Sequence, residues 1–162
     1  MKTKKAIFAA GCFWGVQFYF DQVPGVVRTT VGYTGGHTQN PTYEDVTTHT
    51  TGHAESVLVE FDPEQVTYKT LLKQFFRMHN PTQLNRQGPD IGDSYRTEIF
   101  YFDDDQKEQA HKILEATQTT LSDKIVTKIT PASEFYEAEA YHQKFSERTG
   151  IGMCHVPYEP TK

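Results

Sequence analysis

The pentapeptide Gly11-Cys12-Phe13-Trp14-Gly15 holds the residue of this sequence best suited to covalent chemistry. Lys5 to Ala10 is a short apolar run that reads as a buried strand, and Cys12 to Asp21 reads as a helix, so Cys12 falls where the chain changes from one to the other. Backbone N–H groups and the positive end of a helix would then face its sulfur and favour the nucleophilic thiolate. The plainer alternative is a small apolar residue of the core. Phe13 and Trp14 could wall the reacting atom with a surface that accepts a methyl or thioether group, or could simply pack in the core.

Other candidates lie in loops. Thr51-Gly52-His53-Ala54-Glu55 enters a strand with a carboxyl near its start. If Glu55 faces inward beside Cys12, burial keeps it protonated and makes it an acid at neutral pH; otherwise it is a solvated carboxylate. Tyr43, in Asn40-Pro41-Thr42-Tyr43, and Asp90 and Tyr95, flanking a later strand, sit in loops that a sheet can bring together, although Asp90 also suits a plain turn. Cys154 stands on a Gly-rich tail, either as an incidental thiol or as one that condenses with a sulfenic acid to form a disulfide. His49 and His53 have an i, i+4 spacing, but Gly52 and the threonines place them in a loop rather than on a metal-binding helix. His142 and His155 read as structural or tail contacts.

The elements that must position these residues follow from periodicity. Strands are expected at Lys5 to Ala10, Val26 to Gly32, Ala54 to Phe61, Tyr95 to Phe102 and near Ile125 to Ile129. Helices are expected over Cys12 to Asp21, Thr67 to His79, Asp103 to Thr120 and near Glu134 to Arg148, with a long polar loop from Thr34 to Gly52. The leading order, β-α-β-β-α-β, is that of the split βαβ (ferredoxin-like) arrangement, an α/β fold whose mixed, largely antiparallel sheet carries helices on one face. The 162 residues are one domain's worth, read as a single catalytic domain over 1–162 with 149–162 as an irregular tail.

Composition removes several functions. A net charge of −5 is the opposite of the basic stripe that a phosphate backbone demands, so no nucleic-acid partner is expected. No segment is apolar for long enough to span a membrane. The apolar run before Cys12 is shorter than the core of a secretion signal, so a lipoprotein leader is rejected. Two cysteines far apart make neither a disulfide scaffold nor a metal spacing, and cytoplasmic thiols are the expectation.

The sequence resembles the A-type peptide methionine sulfoxide reductases. The resemblance rests on Gly11-Cys12-Phe13-Trp14-Gly15, Gly32-Tyr33-Thr34-Gly35-Gly36, Asn40-Pro41-Thr42-Tyr43, Gly52-His53-Ala54-Glu55, Asp90-Ile91-Gly92 with Tyr95-Arg96, and Tyr141-His142-Gln143, in order across most of the chain. It implies a two-layer α/β sandwich and reduction of the S epimer of methionine sulfoxide, free or in proteins. It makes Cys12 the nucleophile, Glu55 the proton donor, and Tyr43 and Tyr95 the hydrogen-bond donors to the sulfoxide oxygen. Phe13 and Trp14 would hold the substrate methyl, and Asp90 would help to place the substrate. Cys154 would resolve the sulfenic acid, and a thioredoxin-like dithiol would recycle a monomeric enzyme that needs neither metal nor organic cofactor. Ser94 and Thr97 stand where the family usually carries Gln and Ser. Two rivals remain at this level: a papain-like cysteine hydrolase with His142 as base, and a sensor that binds methionine-like side chains and uses Cys12 as a redox switch.

Overall fold

The apolar run after the lysines is apolar without alternation because both of its sides are covered. In the computed structural model, which describes residues 2–150, β1 (Lys4–Ala10) is buried throughout from Ala6 onward. Ala6, Phe8 and Ala10 face one core, while Ile7 and Ala9 face a second, smaller one on the opposite side of the sheet. The chain continues through α1 (Phe13–Asp21), β2 (Val26–Thr34), α2 (Tyr43–Thr47), β3 (Ala54–Phe61), α3 (Tyr68–Arg77), β4 (Arg86–Gln87) and β5 (Asp90–Ile91). A 3₁₀ turn, Asp93–Tyr95, leads into β6 (Thr97–Tyr101), followed by α4 (Asp104–Gln118), β7 (Lys128–Pro131), β8 (Tyr136–Glu137) and α5 (Phe145–Thr149).

Six strands form one sheet in the order β7-β6-β1-β3-β2-β8, and β4 pairs with β5 in a separate small hairpin. All neighbours in the large sheet are antiparallel except β6 and β7. The strand β3 is thereby inserted between β1 and β2, which is the split βαβ arrangement expected from the element order. Helices α1, α3 and α4 supply the main core: Phe8 stacks on Phe20 at 5.1 Å and on Phe75 at 5.3 Å. Helix α3 buries Leu71, Leu72, Phe75 and Phe76, with Thr67 accepting from the Thr70 N–H at its start. Asp103 caps α4 in the same way.

Several boundaries differ from the periodicity. The loop 34–52 contains α2, closed by a capping box in which Thr42 and Asp45 each accept the other's backbone N–H. Tyr95 belongs to the 3₁₀ turn rather than to the following strand, and the strand expected over Ile125 to Ile129 begins only at Lys128. The main correction is the helix expected over Glu134 to Arg148. That stretch forms β8, a 3₁₀ turn (Ala140–His142) and the short α5. Its side chains take backbone partners elsewhere: Gln143 accepts from the Val31 N–H at 3.0 Å and donates to the Val31 and Ala138 carbonyls, as a neighbouring strand would. Lys144, at φ 58°, breaks any continuous helix and pairs with Asp21 at 2.7 Å.

Gln143 thus satisfies both polar groups of Val31. Gln143→Leu leaves the Val31 N–H buried without its acceptor, while the Val31 carbonyl keeps the Ala138 N–H at 2.9 Å, and is expected to lower the unfolding free energy by about 1–3 kcal/mol, measured from urea midpoints. A loss too small to shift the midpoint would contradict this account.

Candidate active site

The site begins at Gly11, whose φ of 95° turns the chain off the end of β1. Cys12 follows as the N-cap of α1, with no side-chain cap of its own, and is half-buried. The helix start is instead served from the neighbouring strand. The Phe13 N–H donates to Glu55 Oε1 at 3.2 Å, so a carboxyl of β3 satisfies one of the open donors beside Cys12.

Glu55 is 1% exposed. Burial pushes its pKa up to about 8; the Phe13 N–H opposes this and the Asp90 charge adds to it. The carboxyl is therefore protonated at neutral pH. Its second oxygen, Oε2, is buried with no hydrogen-bond partner among the described residues, which leaves a proton available for transfer. Tyr43, the first residue of α2, is raised to about 12 by burial and by the charges of Glu55 and Cys12. Tyr95 is raised by burial, then by Glu55, Tyr43 and Asp90. Both remain hydroxyl donors across the physiological range. The electrostatic coupling of Cys12, Glu55, Tyr43, Tyr95 and Asp90 marks one cluster drawn from a helix start, a strand, a short helix, a turn and a hairpin. Asp90 Oδ2 is likewise buried without a partner among the described residues.

The two aromatic residues after Cys12 differ. Phe13 is 1% exposed and packs on Tyr33 and His142, so it is core. Trp14 is half-buried, stacked on Phe145 at 4.0 Å and parallel to Tyr43 at 6.4 Å. Its indole N–H donates to His142 Nδ1 at 2.9 Å. That bond fixes His142 with its proton on Nε2, and burial lowers its pKa against the pull of Glu139. The lone pair a hydrolase base would need is thus occupied. His53 is a satisfied buried histidine: its Nδ1 accepts from the Gly36 N–H and its Nε2 faces the Thr38 carbonyl at 2.7 Å. Among the described residues no group of three or more His, Cys, Asp or Glu is arranged to hold a metal ion. Cys154 and His155 lie outside the described residues.

Glu139, in the stretch expected to be helical, was not singled out in the sequence. Its Oε1 accepts from Tyr33 Oη at 2.8 Å and its Oε2 from the Tyr43 N–H at 3.0 Å. Burial pushes its pKa up, but those donors, its own N–H and His142 together hold it below the usual carboxylate value. No single-residue signal reveals such a role; only the position of β8 does.

The chain is similar in sequence and in fold to known proteins. The family profile described as peptide methionine sulfoxide reductase matches residues 4–162. The peptide methionine sulfoxide reductase MsrA of Methanothermobacter thermautotrophicus is 52% identical over 157 residues, covering 96% of this chain and 93% of its own. The crystal structure of Mxr1 from Saccharomyces cerevisiae in reduced form is similar with a TM-score of 0.92 at 32% identity, over 99% of this chain and 93% of that one. Mxr1 in complex with Trx2 matches with a TM-score of 0.64 at 29% identity, over 89% and 85% of the two chains.

The raised Glu55 pKa has a stability consequence of definite sign. The folded state holds a proton that the unfolded chain releases, so this contribution is complete below the ordinary carboxylate value and is lost as pH rises to about 8. Between pH 5 and pH 8.5 the wild type is expected to lose on the order of a few kcal/mol relative to Glu55→Gln, read as diverging urea midpoints. Parallel midpoints would refute the buried neutral acid.

Proposed function

We propose a mechanism for a chain that belongs to the peptide methionine sulfoxide reductase A family, thiol-dependent oxidoreductases that reduce methionine sulfoxide. The Cys12 thiolate attacks the sulfoxide sulfur of the S epimer, free or within a protein, while Glu55 delivers its proton to the sulfoxide oxygen. Tyr43 and Tyr95 donate hydrogen bonds to that oxygen, where negative charge grows as the S–O bond weakens. Asp90 helps to place the substrate, and Trp14 offers the apolar surface for its methyl group. Phe13, being core, supports that surface from behind.

The step balances: attack and protonation join the Cys12 sulfur to the substrate sulfur, which then carries a hydroxyl; as that S–S bond and the S–O bond break, the hydroxyl passes to Cys12, so sulfoxide, thiolate and one proton give methionine and a sulfenic acid. The Cys154 thiol then attacks the sulfenic sulfur, expels water and leaves a Cys12–Cys154 disulfide. A thioredoxin-like dithiol reduces it by exchange, a reading supported by the complex of yeast Mxr1 with Trx2. We take residues 1–162 as one catalytic domain acting as a monomer in the cytoplasm, where such dithiols are kept reduced. No described helix is long and apolar enough to cross a membrane. The observation that carries the proposal is the neutral, buried Glu55 held on the N–H next to Cys12.

Reduced protein mixed with blocked methionine sulfoxide and no reductant is expected to yield stoichiometric methionine from the S epimer alone, with loss of both thiols. Cys12→Ser yields none. Cys154→Ser completes one turnover and traps an oxidised Cys12; repeated turnover of that variant with thioredoxin alone would remove Cys154 from the relay. The single-turnover rate carries an alkaline limb near pH 8 as Glu55 loses its proton. Glu55→Gln keeps partial activity and loses that limb, whereas unchanged kinetics would overturn its role as acid.

A further inference from the structure

The two tyrosines assigned to the sulfoxide oxygen are carried by short segments outside the large sheet, α2 for Tyr43 and the 3₁₀ turn for Tyr95. Hydroxyls on two such segments meet one oxygen only if something fixes the segments to each other. His49 lies between them. Its N–H donates to the Val46 carbonyl at 3.0 Å just beyond α2, and its backbone sits at φ 61°, a left-handed conformation costly for a side chain with a Cβ.

From there the ring crosses to the other segment. Its Nδ1 is 3.2 Å from Ser94 Oγ and 3.7 Å from Asp93 Oδ1, and its centroid is 6.0 Å from that of Tyr95 at 62° between planes. Ser94 is 1% exposed, and Asp93 Oδ1 is buried without a hydrogen bond among the described residues, facing the same ring. Gly92, at φ 135°, lies so close beneath the imidazole that a Cβ there would collide with it. The short side chain of Ser94 leaves the ring this room.

We infer that His49 is a positioning residue that clamps the turn carrying Tyr95 to the helix carrying Tyr43, so that both hydroxyls reach the sulfoxide oxygen together. The clamp rests on the proposed donor role of the tyrosines and adds the group that aligns them. It acts in the reduction step and leaves the thiol of Cys12 untouched.

The test is a double-mutant cycle read in single-turnover reduction of the S sulfoxide. His49→Gly removes the ring and relieves the backbone, and is expected to slow methionine formation about 10-fold, with the unfolding midpoint and the rate of Cys12 alkylation by iodoacetamide unchanged. His49→Asn tolerates the same φ, keeps a polar atom near the place of Nδ1 and restores most of the rate. In a Tyr95→Phe background, His49→Gly costs less than about 2-fold. An equal loss in both backgrounds, or no loss from His49→Gly, overturns the clamp alone. A Tyr95→Phe variant at the wild-type rate overturns the donor role of Tyr95 and the clamp with it.

Discussion

A single hydrogen bond between the Phe13 N–H and Glu55 Oε1 joins the two parts of the molecule on which everything else depends. A helix start normally finds its cap within its own turn, as α2, α3 and α4 do with Thr42, Thr67 and Asp103. Helix α1 has no such side chain, because the cap position is occupied by Cys12. The missing acceptor comes from β3. The carboxyl is therefore carried into a site where burial keeps it protonated, and the contact that completes the helix holds it on the N–H of the residue after Cys12. Structure and chemistry here share one bond.

The segment from Ala132 to Gly150 holds that arrangement from outside. It closes the second core with Phe135, adds β8 to the sheet, and returns along β2 through Gln143 and along α1 through Lys144. Along this path Glu139 holds the Tyr33 hydroxyl and the first N–H of α2, and His142 holds the Trp14 indole. A stretch with little regular structure of its own thus holds Trp14 and the start of α2 in place. Its stability is borrowed from the sheet and helix it lies on.

The sheet was legible because its strands obey simple rules. Ala54 to Phe61 alternates as a strand and is one, and the unbroken apolar run before Gly11 is buried on both faces. Cys12 and Glu55 stood out in the sequence through their neighbours, but only the fold places Glu55 on the N–H of the residue after Cys12. Phe13 was ambiguous because adjacency to a reactive residue looks the same in a sequence whether a side chain turns toward the site or into the core. The stretch from Glu134 to Arg148 misled because Phe135, Tyr136 and Ala138 have apolar spacing that suits a helix, whereas their partners lie on β2, a hundred residues away. Local spacing cannot register such a partner. The same limit hid His49, whose loop setting argued against metal binding and said nothing about Ser94.

The margins of the sheet bear on the company such a protein keeps. Oxidised proteins are often loosened, and loosened chains expose strand backbone that seeks an open row of N–H and C=O groups. Strand β8 offers only Tyr136 and Glu137, and β7 ends at Pro131, which has no N–H to give. Among the described residues both outer rows are therefore short, and they give a damaged chain little open backbone to pair with.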